Sequence, residues 1–157
     1  MEAERPTREV FVAFVRDVEP RLRLAVVAAH GPDPGLDAVQ EALIWGWEHW
    51  GRVTQLANPA GYLYRVAMRK AQRARVRRPV VAFATSGDGT PWVEPALSPA
   101  LKAMSAMQRQ TVVLVAAYGY TQQEAADLLG VRRTTVQKHL DRGLARLRAA
   151  LRVTDDV

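Results

Sequence analysis

The 157-residue sequence has no cysteine, which excludes disulfide frameworks, thiolate zinc sites and cysteine nucleophiles together. No apolar run approaches the roughly 20 residues needed to span a bilayer. Residues 1–10 hold charges and Pro6 where a signal peptide needs its apolar stretch. These absences predict a cytoplasmic protein without membrane insertion. There is no P-loop and no dinucleotide glycine pattern. The histidines, His30, His49 and His139, are scattered rather than clustered. No catalytic residue, no metal site and no cofactor is expected, and an enzyme is the least supported class. Internal repeats and strand-rich segments are also missing.

What is present is apolar and basic. Hydrophobic residues make up 48% of the chain, enough for folded cores rather than a disordered tail. The net charge of +6 and pI near 10.3 favour a polyanionic partner, although charge alone names none.

Two helical blocks flank one helix-poor stretch. In the first, Val10, Phe11, Phe14, Val15 and Val18 recur at helical spacing. Pro20 predicts a break before a second run through Leu22 and Val26. His30-Gly31-Pro32-Asp33-Pro34-Gly35 reads as a loop. The next helix is expected from Leu36 to about Trp50, with Val39, Leu43, Trp47 and Trp50 on one face. After a loop from Gly51 to Asn58, Asn58-Pro59 has the chemistry of a helix start running to Arg78. Between Pro79 and Leu97 the periodicity fails. Val80, Val81 and Phe83 could form a short strand, and the turn-rich run Thr85 to Pro91 suits a mobile linker. Ser98-Pro99 opens the second block, Ser105 with Gln108 marks a capping box, and Gly119 closes that helix. Thr121 with Glu124 repeats the box for a short helix ending at Gly130. A last helix from about Arg133 to Arg152 carries Val136, Leu140, Leu144, Leu147 and Leu151 as its buried stripe. The predicted fold is all-α: two small helical domains, 7–78 and 98–153, joined by a flexible linker at 79–97.

The sharpest local signal lies between Thr121 and Leu147. Ala126, Gly130 and Val136 stand at helix-turn-helix spacing, where a small residue lets two helices touch, a glycine takes the tight turn and an apolar residue anchors the second helix. The remaining face of that helix is polar and basic: Arg132, Arg133, Thr134, Thr135, Gln137, Lys138 and Arg142. Arginine and glutamine can each read a base edge through paired hydrogen bonds, whereas lysine and threonine suit phosphates.

The helix from Pro59 carries Arg65, Arg69 and Arg73 four residues apart, with Lys70, Arg77 and Arg78 beside them and Tyr62 and Tyr64 at its start. Cations interleaved with aromatics suit single-stranded or melting DNA. In the preceding helix, Asp37, Gln40, Glu41 and Glu48 form a polar, partly acidic face. Trp45, Trp47 and Trp50 crowd the same helix; some suit a core, Trp47 first among them, and some an interface.

In order and spacing these segments resemble the extracytoplasmic-function (ECF) group of the sigma-70 family, from about Val10 to Val153. Asp37-Ala38-Val39-Gln40-Glu41-Ala42-Leu43-Ile44-Trp45 is similar to that group's region-two helix, D-L-V-Q-E followed by an apolar pair and tryptophan. Pro59 to Ala67 is similar to the stretch that follows, W-L-Y-R-I-A in typical members. Tyr120-Thr121-Gln122-Gln123-Glu124-Ala125-Ala126 matches G-x-S-x-x-E-I-A of region four. Thr135 to Leu140 and Arg142 to Arg148 resemble T-V-K-S-R-L and R-A-R-A-R-L-R.

The resemblance implies an RNA polymerase sigma factor, not an enzyme, with region two in 7–78 and region four in 98–153. It gives Asp37, Gln40, Glu41, Ile44 and Trp45 to the β′ clamp helices of core polymerase. Thr54, Asn58, Tyr62, Tyr64, Arg65, Arg69, Lys70, Arg73 and Arg77 fall to the melted minus-ten element. The minus-thirty-five duplex falls to Thr121, Arg132, Arg133, Thr134, Thr135, Gln137, Lys138 and Arg142. The polymerase β flap and an anti-sigma factor are further implied partners. Departures cluster on one helix: Arg69 and Arg73 stand where many members carry asparagine and aspartate, and Tyr62 where tryptophan is usual. A proline is common at Ser105. The two arginines add positive charge facing DNA and bear on which minus-ten sequence is accepted. The rival reading is a helix-turn-helix transcriptional regulator acting without core polymerase, which leaves the first block unexplained.

Overall fold

The computed structural model describes residues 4–77 and 97–152. Every regular element among them is helical. The linker and short strand expected after Pro79 lie outside the described residues, apart from Leu97, which starts a helix.

α1 spans Glu4–His30 without the break expected at Pro20. Proline removes one backbone donor, but the apolar stripe continues unbroken through it as Val18, Leu22, Ala25 and Val26, all buried. Ion pairs Arg21–Asp17 and Arg23–Glu19, each one helical turn long, clamp both sides of the proline. The expected loop at 30–35 contracts to a single residue. Gly31 takes φ 89°, and α2 begins at once as Pro32–Glu48. Pro32 and Pro34 fall in the first turn of α2, where backbone N–H groups have no helical partner to lose.

Trp47 departs from its expected core position. It is 41% exposed and leans on Phe11, while Trp50, 6% exposed, fills the core against Phe11 and Phe14. The reason is a helix break. α2 ends at Glu48 and a separate turn, α3 (Trp50–Val53), begins two residues later, so Trp50 leaves the 3.6-residue register that would have put both rings on one face. α4 then spans Pro59–Arg77.

In the second block α5 spans Leu97–Ala103, one residue ahead of the expected start, and α6 spans Ala106–Thr111. Ser105 caps α6 as expected, its hydroxyl accepting from the Gln108 N–H at 3.2 Å. The chain then widens into a π-helical segment, Val112–Ala117, which the α-periodic reading did not anticipate. α7 (Gln122–Leu129) and α8 (Arg133–Leu151) follow.

One apolar core joins the two blocks. Val18, Leu22, Val26, Val39, Leu63 and Ala67 from α1, α2 and α4 cluster with Leu114, Ala125, Leu128, Leu129 and Val136. A smaller cluster of Met104, Val112 and Leu140, backed by Leu101, Leu144 and Leu147, belongs to the second block alone.

Candidate nucleic-acid interface

The helix-turn-helix forms where the spacing places it. At its entry the Thr121 hydroxyl accepts from the Glu124 N–H at 3.1 Å, and the Glu124 carboxylate accepts from the Thr121 N–H at 2.8 Å. Both halves of the capping box are therefore made. The backbone donation holds the Glu124 carboxyl below the usual carboxylate range. Gly130 turns the chain at φ 68°, the left-handed region that an L side chain enters at a cost. Ala126 and Val136 are buried at the helix crossing. With that anchor set, Arg132, Arg133, Thr134, Gln137, Lys138 and Arg142 are all exposed, and Thr135 is half-buried. A helix that buries Val136 and Leu140 must present these neighbours to solvent on its opposite face.

The expected minus-ten residues gather at the start of α4, less uniformly. Asn58 is the N-cap, its Oδ1 accepting from the Gly61 N–H at 2.9 Å. Thr54 is exposed, its hydroxyl donating to the Gly51 carbonyl. Tyr62 packs against Trp45 with ring centres 5.6 Å apart, and the Arg65 guanidinium lies 5.7 Å from the Tyr62 ring centre. Trp45 in turn stacks on His49 at 4.2 Å. His49, Trp45, Tyr62 and Arg65 thus form a continuous π column from the end of α2 to the start of α4. Arg65, Arg69 and Arg73 are exposed along α4, whereas Lys70 pairs with Glu41 at 3.6 Å. Arg77 ends α4; its side chain lies outside the description. Tyr64 points inward and is buried. On α2, Asp37, Gln40 and Glu41 are exposed and Ile44 is 60% exposed.

The model of sigma-70 region 4 matches residues 96–147, the segment holding the capping box, Gly130, Val136 and the exposed basic helix. The second block is similar to sigma-70 region 4. The fold across both blocks is shared with two solved structures. The chain is similar to the sigma factor RpoE, solved with the anti-sigma factor NepR from Bartonella quintana, at 24% identity and a TM-score of 0.65, over 92% of this chain and 98% of that one. It is also similar to CnrH, solved with the cytosolic domain of CnrY, at 22% identity and a TM-score of 0.60, over 92% of this chain and 89% of that one. No curated protein sequence matches significantly. No helix among the described residues is long and apolar enough to cross a membrane.

Sequence reasoning missed the seam between region 4 and α1–α4. Asn58 Nδ2 donates to the Asp127 carbonyl near the end of α7, at 2.6 Å. Gln110, 1% exposed, donates from Nε2 to the Tyr64 hydroxyl at 2.7 Å and to the Ala25 carbonyl at 3.0 Å. Burial pushes the Tyr64 hydroxyl pKa up, and the Gln110 bond offsets part of that rise. Arg109 donates to the Ala28 and Ala29 carbonyls of α1 and also to Leu101 and Met104 at the end of α5. One guanidinium therefore serves the orphan carbonyls of two helix C-termini from opposite blocks. The signal in the sequence is Gln110 itself, a polar residue at helical spacing from Met107 and Leu114, which both pack on the core.

Proposed function

We propose that the chain is an ECF sigma factor that carries core RNA polymerase to promoters and starts transcription there. The observation carrying this reading is a region 4 helix-turn-helix whose capped, anchored second helix presents a polar and basic face. In this account Arg132, Arg133, Gln137 and Arg142 meet base edges and phosphates of the minus-thirty-five duplex. Thr121, Thr134, Thr135 and Lys138 fix register through the backbone.

The first unit, 7–78, supplies the other two contacts. Asp37, Gln40, Glu41, Ile44 and Trp45 meet the β′ clamp helices; exposed Ile44 is the apolar anchor of an otherwise polar patch. Arg65, Arg69, Lys70, Arg73 and Arg77 hold the backbone of the melted minus-ten strand, with Thr54, Asn58, Tyr62 and Tyr64 beside its bases. Region 4 (98–153) rests on the β flap, and the linker 79–97 spans the two. The reaction is the polymerase's, so this protein is not an enzyme and works in the cytoplasm. A structural neighbour solved with an anti-sigma factor supports a regulator of that kind here.

The test is co-elution with sigma-free core polymerase. The parent protein comigrates with core, and Ile44→Asp, a change at an exposed site, abolishes comigration without altering the helical spectrum. A parent protein that never comigrates yet footprints duplex DNA alone would instead support the free-standing regulator.

A further inference from the structure

We infer that His49 is a base-stacking residue: its ring is the outer end of the π column and takes an unpaired base of a single DNA strand. This role rests on the proposed grip of α4 on melted DNA and adds to that grip a contact with the bases. His49 is the single residue between α2 and α3, and its backbone is tied on both sides. Its N–H donates to the Trp45 carbonyl at 3.1 Å, and its carbonyl accepts from the Arg52 and Val53 N–H groups at 2.9 and 3.0 Å. The ring is fixed as well. Nδ1 lies 2.9 Å from the same Trp45 carbonyl; a carbonyl only accepts, so Nδ1 carries the hydrogen. One ring face lies 4.2 Å from the Trp45 ring, 15° from parallel. With one edge and one face engaged in a half-buried residue, the second face is left for a partner. Because the ring is already held in place, stacking there costs little further side-chain entropy.

The surroundings point to a nucleic-acid base as that partner. Trp45 joins His49 to Tyr62, and Tyr62 carries the column on to Arg65. From Arg65 the exposed cations Arg69 and Arg73 follow at one-turn intervals. The exposed segment 54–58 runs between α3, which His49 starts, and α4, which carries that stripe. A row of cations beginning where an aromatic column ends is the arrangement that binds single strands: the cations track phosphates, and flat rings take bases with little regard to sequence. The bond to the Trp45 carbonyl also caps α2, but capping alone needs only a donor and not a ring.

The experiment compares two fluorescein-labelled strands on the full-length protein at low salt: a thymidine homopolymer, and an abasic strand with the same number of phosphates. His49→Asn keeps a donor for the Trp45 carbonyl and removes the ring. It lowers affinity for the thymidine strand about tenfold, the size of one lost aromatic–base stack, and leaves the abasic strand within about twofold of the parent. His49→Phe loses the donor, keeps the ring, and holds the thymidine strand within about twofold of the parent. Arg69→Ala, at a phosphate contact, weakens both strands alike.

Equal losses on both strands with His49→Asn, or no loss on either, overturn the stacking role and leave the α4 grip standing. A His49→Phe variant that falls as far as His49→Asn on the thymidine strand also overturns it, and assigns His49 to helix capping. A parent that binds neither strand overturns the stacking role together with the α4 grip. Comigration with core polymerase decides the sigma reading separately from all of these. Circular dichroism checks the fold of each variant, and His49→Gln takes the place of His49→Asn should that variant not fold.

Discussion

Gln110 and Tyr64, 46 positions apart in sequence, meet at 2.7 Å, amide nitrogen to phenol oxygen. Both are buried, so each is the other's replacement for water. Gln110→Ala leaves the Tyr64 hydroxyl and the Ala25 carbonyl without that donor and lowers stability by about 2 kcal/mol. Tyr64→Phe removes one acceptor and leaves Gln110 bonded to Ala25, at about 1 kcal/mol. Denaturant unfolding of both single variants and the double variant gives a coupling energy of about 1 kcal/mol. Additive losses would show that the two side chains do not interact.

The same pair has a pH signature. The folded pKa of Tyr64 is raised, burial being the larger cause. Below the unfolded tyrosine pKa of about 10 its contribution is fully present. As pH rises above that value the unfolded chain loses its proton first, and the stability contributed is lost toward the higher folded value. Tyr64→Phe should therefore flatten the alkaline fall in stability, followed as unfolding midpoint against pH.

Glu124 behaves in the opposite sense. The Thr121 N–H lowers its folded pKa, so its contribution is present above the unfolded glutamate value of about 4.3 and is lost as pH falls through the folded one. Glu124→Gln keeps an acceptor and removes the titration. That variant should lose less stability between neutral and acid pH than the parent, measured by thermal melts across that window.

The turn at Gly130 separates backbone strain from crowding, since nothing lies within 4 Å of a Cβ built there. Gly130→Ala should cost about 1 kcal/mol through the left-handed backbone alone, with Gly130→Asn costing less. Val136→Ala, at a fully buried anchor, should cost about 2 kcal/mol. Thermal unfolding ranks the three; a Gly130→Ala variant as stable as the parent would show that the turn is not strained.

How much of this was legible depends on the range of the forces involved. The caps at Asn58, Ser105 and Thr121, the left-handed turn at Gly130 and the Val136 anchor are set by a side chain and its own backbone within a few residues, and sequence spacing states them directly. Pro20 and the 30–35 segment differ from expectation because the same residue types end helices or start them according to tertiary support. α1 continues on its buried stripe, and two prolines sit where a helix needs no donor. Trp47 and Trp50 part because a break at His49 is invisible to periodicity. The π-helical turn answers to packing around it rather than to its own residues. The Gln110–Tyr64, Arg109–Ala29 and Asn58–Asp127 bonds join residues far apart in sequence, and no window of sequence contains both partners.

On DNA, the exposed face of α8 should divide by chemistry. Gln137→Ala should relax base preference at one position, by about 1–3 kcal/mol of discrimination. Lys138→Ala should weaken all sequences alike and reduce the salt slope by about one. Competition binding of core-bound protein to a promoter library at two salt concentrations distinguishes them; equal effects from both would remove the distinction between reading and positioning.

The most direct measurement is transcription by this protein with sigma-free core polymerase on fragmented genomic DNA, with start sites mapped. New starts sharing two spaced upstream elements, lost with Ile44→Asp, are the predicted result. No specific starts from a folded protein that binds duplex DNA by itself would contradict the sigma account.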